Sequence, residues 1–303
     1  MIKRLLKSFV IKYLQKHYYI KFHPRLFRTQ LLPPGNQPAL VVPLDYPDVV
    51  ALEKDRSPYD SIIHIFQDNL GAIDKTYQAL SPYFEIERVA DEQVDDISPY
   101  WHNTYFTGGD ARAAYAMVRA LKPDIILEIG SGNSTKFFRR AITDSSHQTK
   151  IISIDPCPRA EIDIVVDHVV RKNLLDAPLT LFEQLQPGDF LFLDGSHITF
   201  HGTDVPYFFL RVLPRITPGV IVHLHDIFLP YEYPAHMDHL YYSEQYMLAA
   251  FLLYNQQWRP LFPVHYLAEQ GIFNWDGGSF WMEKVDDFSK FNGCGKGDRS
   301  NDE

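Results

Sequence analysis

Ten residues, ILEIGSGNST (126–135), constrain the fold of this chain more than any other segment. An apolar run from Ile125 to Ile129 holds one acid, Glu128, and stops at Gly130-Ser131-Gly132. Asn133 and Ser134 then open the helix-like TKFFRRAI. The pattern is a buried strand, a tight glycine turn and a capped helix. In doubly wound α/β folds that turn receives nucleotide-like ligands.

The chain continues in the same rhythm. Short apolar runs at 151–154 (IISI), 190–193 (FLFL) and 220–224 (VIVHL) read as strands. Helices are expected near 110–121, 135–142, 177–185, 204–213 and 243–254, and an earlier one over 58–82. Strands separated by helices imply βαβ units and a parallel sheet. Two late strand candidates, near 260–266 and 278–284, lie close together with a Gly-Gly turn signal before the second. They read as a final antiparallel pair. The expected fold is therefore α/β, Rossmann-like and doubly wound, with a mostly parallel seven-stranded sheet and a final antiparallel strand, plus an N-terminal helical extension. The expected organisation is an extension over 1–107, a core domain over 108–290 and a disordered tail over 291–303.

Charge narrows the partners. The net charge of −9 conceals eight Lys or Arg and no acid within residues 1–28. The remaining body is strongly acidic, which argues against nucleic-acid binding, because phosphate neutralisation needs a basic surface. Residues 1–22 read as an amphipathic helix, with Ile2, Leu5, Leu6, Phe9, Val10, Tyr13 and Leu14 at helical spacing. Such a helix can lie on an anionic membrane surface, or pack on the body or on a second copy of the chain. Two cysteines, Cys157 and Cys294, make no disulfide framework, and no apolar run is long enough to span a bilayer. The expected location is cytoplasmic, with peripheral contact at the inner membrane surface left open, as is a homo-oligomer.

The strand ends carry the chemistry. In an open parallel sheet they project into one crevice. Glu128 and Gly130 close the first strand and Asp155 the second; Asp194 closes the next, in DGSH, and His225-Asp226 the one after, in HLHD. Acids on neighbouring strand ends are costly to leave unpaired, and a ligand rich in hydroxyl or ammonium donors would satisfy them. Asp155 is placed to accept from both hydroxyls of a ribose. Thr135 stands where a dinucleotide fingerprint would need its third glycine, so a cofactor without a pyrophosphate is expected.

On these residues the chain resembles class I S-adenosylmethionine-dependent methyltransferases. Glu128-x-Gly130-x-Gly132 looks like that family's first motif, and Asp155 like its ribose-binding acid. Asp194-Gly195-Ser196-His197, Pro218-Gly219-Val220 and His225-Asp226 are similar to the small-molecule subgroup with DGxH and HD motifs, the methyltransferase domain 24 type. The likeness spans about residues 105–285 and leaves the first hundred unexplained. It implies S-adenosylmethionine as cofactor, held by Glu128, Gly130, Ser131, Gly132, Ser134, Asp155, Pro156, Asp194, Gly195 and Ser196. It also implies an O-methyltransferase acting on a small molecule or a sugar hydroxyl.

A displacement at a methyl carbon needs an aligned nucleophile and a group that takes its proton. Histidine suits that work, so His225, His197 and Asp226 are the expected catalytic residues. Strand alternation puts His223 and His225 on one face, with His223 the deeper, core-like one. Asp194, His225 and Asp226 are also a candidate metal set, with Mg²⁺, Mn²⁺ or Fe²⁺ as the ion. The aromatic segment 228–246, with Glu232 and His236, is a candidate pocket wall. Asp110 reads as a helix cap or as a group reaching the cofactor from the N-terminal side. Two other readings stand beside these: a nicotinamide-dependent oxidoreductase using the same crevice, and a non-catalytic scaffold docking through residues 1–22.

Overall fold

The computed structural model describes residues 56–285, apart from Thr107 and Arg159. The helix expected over 1–22 and the tail from 291 lie outside the described residues. The strands are β1 (Ile125–Ile129), β2 (Lys150–Ile154), β3 (His168–Val170), β4 (Phe190–Leu193), β5 (Ile221–Leu224), β6 (Trp258–Pro263) and β7 (Phe280–Lys284). They form one seven-stranded sheet in the order β3-β2-β1-β4-β5-β7-β6. Strands β1 to β5 pair in parallel, and only β7 runs against its neighbours β5 and β6. This is the expected α/β, Rossmann-like sheet.

The central strands are apolar because helices and loops cover them. Every residue of β4 and β5 is buried, as are Ile126 to Ile129 of β1. Such runs are what parallel sheets require. Helix α3 (Gly108–Leu121) buries an almost continuous face of small residues, including Ala111, Ala113, Ala114 and Ala116, and packs closely on α4 (Asn133–Ser145). It ends at Lys122, with φ +52, before Pro123, which cannot continue a helix.

Several expectations need adjusting, each for a local reason. The helix expected over 58–82 is two helices, α1 (Asp60–Asp68) and α2 (Leu70–Leu80). Between them Asn69 donates its side-chain amide to the carbonyl of Ile65 at 2.8 Å, a local bond that competes with the helical ladder. The segment 177–185 keeps one helical turn, α5 (Thr180–Glu183), between Pro178 and Pro187. The segment 204–213 starts as α6 (Asp204–Tyr207), widens into a π turn over Phe208–Val212 and tightens before stopping at Arg215, with Pro214 in its last turn. Helix α7 (Glu244–Leu253) is as expected. The strand expected over 260–266 is β6 followed directly by α8 (Val264–Glu269), and β6 tolerates Pro260 and Pro263 because it is an edge strand.

The boundary expected at 107/108 is not a structural one. Ile62, Phe66, Ile73, Leu80, Phe84 and Phe106 belong to the same buried core as the sheet. Phe66 sits 5.0 Å from the ring of Tyr266 and 5.9 Å from that of Phe280. The apolar faces of α1 and α2 therefore complete the core over the β6–β7 edge rather than standing apart from it.

Register sets the site. Ile129 of β1 pairs with Ile154 of β2 and Leu193 of β4, and Leu193 pairs with Leu224 of β5. The next residue on each strand is Gly130, Asp155, Asp194 and His225. These four consequently form a row along one sheet edge. Backbone bonds lock it: Gly130 donates to Ile154 at 3.0 Å, Asp194 to Ile129 at 2.9 Å and His225 to Leu193 at 3.0 Å. Gly130 has φ +80, and a Cβ there would lie 1.9 Å from the carbonyl oxygen of Asp194. Gly130→Ala is therefore expected to destabilise the protein by at least about 2 kcal/mol in chemical denaturation, from backbone strain and collision together. A variant as stable as the parent would show that the turn can move away from Asp194.

Candidate active site

The turn after β1 is organised by a short relay. The amide of Gly132 donates to Thr135 Oγ1 at 3.0 Å, and that hydroxyl donates to Glu128 Oε1 at 2.8 Å. The threonine in the place of a third glycine thus ties the first turn of α4 to the acid beneath it. Glu128 is fully buried, and its Oε2 has no hydrogen-bond partner among the described residues. Burial pushes its carboxyl well above the usual range; the Thr135 bond only partly offsets this, and the charges of Asp155 and Asp194 add to it.

Asp155 fastens the other side of the turn. Its Oδ2 accepts from the Ser131 amide at 2.8 Å and from Ser131 Oγ at 3.1 Å, and its Oδ1 accepts from the Cys157 amide at 2.7 Å. Ser134 is buried in the first turn of α4, and Pro156 is exposed beside Asp155. A Cβ built on Gly132 meets nothing within 4 Å, so the turn opens onto free space. Glu128, Gly130, Ser131, Gly132, Ser134 and Asp155 are therefore brought together. Gly195 and Ser196 are not turned toward them. Asp204, at the start of α6, accepts from the Ser196 amide and hydroxyl and closes on Gly195.

The second half of the site gathers at the ends of β4 and β5. His197 is almost fully buried between three acids. Its Nδ1 lies 2.9 Å from Glu244 Oε2, and its Nε2 lies 3.1 Å from Asp194 Oδ1 and 3.5 Å from Asp226 Oδ2. Burial opposes a charge on this ring, but the bonds to Asp194 and Glu244 outweigh it and push its pKa up to about 10. So placed, His197 favours its charged form at neutral pH, which disfavours the base role expected for it. Glu244 was not foreseen as a site residue; its only signal is one acid at the head of the apolar EQYMLAAFLL helix.

His225 is also enclosed. Its Nε2 lies 3.3 Å from Asp110 Oδ2, and its Nδ1 lies 3.5 Å from Asp194 Oδ1 and 3.7 Å from Asp226 Oδ1. Burial again opposes the charge, yet Asp226, Asp194 and Asp110 raise its pKa well above the ordinary value. In return, against the cost of burial, the two imidazoles hold Asp194 well below the carboxylate range. Asp110 reaches this cluster from the first turn of α3, so its approach is to His225. His223 is a core residue. Its ring stacks on Trp281 at 3.9 Å, its Nε2 lies 2.8 Å from Ser279 Oγ, and burial lowers its pKa.

A metal does not fit these donors. Asp194 Oδ1 is shared between two imidazoles, and no group of three or more His, Cys, Asp or Glu among the described residues is arranged to hold an ion. The candidate set Asp194, His225 and Asp226 is instead a carboxylate–imidazolium cluster.

This cluster floors a cavity of about 960 Å³. Glu232 and His236 line it, as do Tyr105, Phe228, Tyr231, Tyr233 and Tyr242. The wall is strapped from α1: Tyr59 donates through its hydroxyl to Glu232 and through its amide to the Pro230 carbonyl, and Arg56 reaches Tyr233 and Asp238. The loop Asp276-Gly277-Gly278 closes over Asp110 and Asp226, where any Cβ on Gly277 would strike the Asp110 carboxylate at 2.5 Å.

Residues 127–227 match the family model Methyltransf_24, a methyltransferase domain. No curated protein gives a significant match over the sequence. Among solved structures, the chain is similar to an O-methyltransferase, TomG, from Streptomyces achromogenes, at 15% identity over 74% of this chain and 99% of that one, with a TM-score of 0.39. It is similar to the O-methyltransferase from Bacillus cereus at 17% identity, covering 79% and 94%, with a TM-score of 0.38. A Podospora anserina methyltransferase gives 14% identity, 82% and 100% coverage and a TM-score of 0.38. At these scores the structural likeness lends no support to any residue's role.

The His197 environment has a measurable consequence. Its folded pKa exceeds the ordinary 6.5, so its contribution to stability is complete below that value and is lost as pH rises toward 10. Thermal stability is expected to decline across that window. Glu244→Gln should cost about 3 kcal/mol, by leaving a buried charge without its partner, and should flatten the decline. An unchanged pH slope in that variant would contradict the pairing.

Proposed function

We infer that this chain is an S-adenosylmethionine-dependent methyltransferase and that it methylates a hydroxyl oxygen of a small molecule held in the cavity beside Asp194 and His225. The observation that carries the reading is the row Gly130, Asp155, Asp194 and His225, which sets a glycine turn of methyltransferase type directly beside a cavity floored by ionisable groups. The residues suit the cofactor: Gly132 opens onto free space, and the buried Glu128 Oε2 has no partner among the described residues. Ser131 and Asp155 would hold the ribose, and the Gly130–Gly132 turn would lie against the amino-acid part.

When bound, S-adenosylmethionine supplies an electrophilic methyl: an O–CH₃ bond forms as the S–CH₃ bond breaks, the electron pair stays on sulfur, and the hydroxyl proton leaves. His225 is the group that takes this proton, in its neutral form. The carboxylates around it favour the charged form, so the neutral form grows only as pH rises above the ordinary histidine range. Asp110, Asp194 and Asp226 orient the ring. His197 stays charged, holding Asp194 and Asp226 in place through its own anchor, Glu244.

Calorimetry separates this reading from a nicotinamide enzyme. S-adenosylhomocysteine should bind and NAD should not, and Asp155→Ala should weaken S-adenosylhomocysteine by tenfold or more, the loss of two or more hydrogen bonds to a carboxylate. Tight NAD binding would overturn the assignment. For the reaction itself, kcat/KM should climb with pH above neutrality. His225→Ala should lower kcat roughly a hundredfold with cofactor affinity unchanged. A pH profile flat from pH 6 to about 9 would remove His225 as base.

Among the described residues no helix is long and apolar enough to cross a membrane. The basic residues 1–28 support a further reading, peripheral contact with an anionic surface. Co-sedimentation of the full chain with phosphatidylserine vesicles at low salt, lost on deleting residues 1–22, is the expected result; no sedimentation of the full chain would exclude it.

A further inference from the structure

The cavity carries a chemical bias that methyl transfer alone does not require. Six carboxylates line it: Asp110, Asp194, Asp226, Glu232, Glu269 and Asp276. The lining holds one guanidinium, and Arg56 is already engaged by Asp238, outside the lining. Four histidines also line it, His197, His225, His236 and His265, the last at 2.8 Å from Asp276; even with all four charged, negative groups outnumber positive ones. An acidic concavity concentrates cations and repels anions.

Two further observations show that this floor is incomplete. Both buried ring nitrogens of His225 stand 3.3, 3.5 and 3.7 Å from the carboxylates of Asp110, Asp194 and Asp226 and make no hydrogen bond among the described residues. Asp226 has φ +56, a left-handed conformation that costs an aspartate energy, and its carboxylate comes no nearer than 3.5 Å to either imidazole. Strain of this kind persists where a side chain is held out toward a ligand. Tyr231, Tyr233 and Tyr242 line the same cavity, with Tyr242 packed on His197 at 4.5 Å and Tyr231 meeting His265 at 5.5 Å. Carboxylates among tyrosine faces are a chemistry that receives ammonium groups.

We propose that the methyl acceptor is a hydroxylated small molecule that also carries a protonated amine, and that Asp226 with the tyrosine-lined acidic wall receives its ammonium group. This rests on the methyltransferase reading. A neutral polyol would meet the hydrogen-bonding demand of the floor but leave its charge uncompensated, and an acid would be repelled.

Two matched probe series test it: tyramine, 4-ethylphenol and 4-hydroxyphenylacetate, and glucosamine, glucose and glucuronate. Each is titrated by calorimetry into the full chain saturated with S-adenosylhomocysteine. In at least one series the amine should bind about tenfold or more tighter than its neutral partner, and the acid weakest. The amine preference should shrink as salt rises. Asp226→Asn should weaken the amine about tenfold, more than it weakens the neutral probe, and Glu269→Gln at the rim should weaken the amine more mildly and leave the neutral probe nearly unchanged. The charge series on the unaltered chain decides even if Asp226→Asn fails to fold. Equal affinities, preference for a neutral or acidic member, or no binding of any probe overturns the proposal. Failure of S-adenosylhomocysteine itself to bind would instead sink the methyltransferase reading.

Discussion

The backbone of Gly130 lies so close to the carbonyl of Asp194 that no side chain can come between them, and the rest of the site depends on that contact. Parallel pairing brings the ends of β1 and β4 level, and the missing Cβ lets the turn close onto its neighbour. The glycine turn and the cavity are thereby joined by two strand ends rather than by loops. Groups carried on paired strands hold their spacing more tightly than groups on loops.

Electrostatics follow from the same geometry. Strand ends in one row bring Asp155, Asp194 and Asp226 toward a buried Glu128, and like charges in a water-poor site cannot all stand uncompensated. The protein answers differently in its two halves. On the glycine-turn side burial favours the protonated form of Glu128, while backbone amides and Ser131 satisfy Asp155. On the cavity side two imidazoles, both biased toward the charged form, stand among Asp110, Asp194, Asp226 and Glu244. His197 and Asp226 both sit at positive φ, so part of the folding free energy is spent on holding these groups at the cavity.

Much of this was legible in the sequence because it is local. The strand, glycine turn and helix of 125–145 are encoded by an apolar run, two glycines and a polar helix start. DGSH and HLHD mark strand ends because an apolar run stops at each. The edge strand β3 was not foreseen, since three residues carry no readable period, and α8 was hidden inside an apolar run that changes conformation at Pro263. The histidines were found, but their charge states were not. His197 pairs with Glu244 from α7 and His225 with Asp110 from α3, and contacts between distant segments leave no periodic trace. The same holds for the core role of 56–106, which depends on α1 and α2 meeting β6 and β7 across the fold.

The central claim is that the row of strand ends is a cofactor floor with the acceptor cavity at its side. A crystal structure of the full chain with S-adenosylhomocysteine tests it most directly. The account predicts ribose hydroxyls on Asp155, the amino-acid part over Gly130–Gly132 and the sulfur facing the cavity floored by Asp194 and His225. Ligand bound elsewhere, or with its sulfur turned away from that cavity, would contradict it.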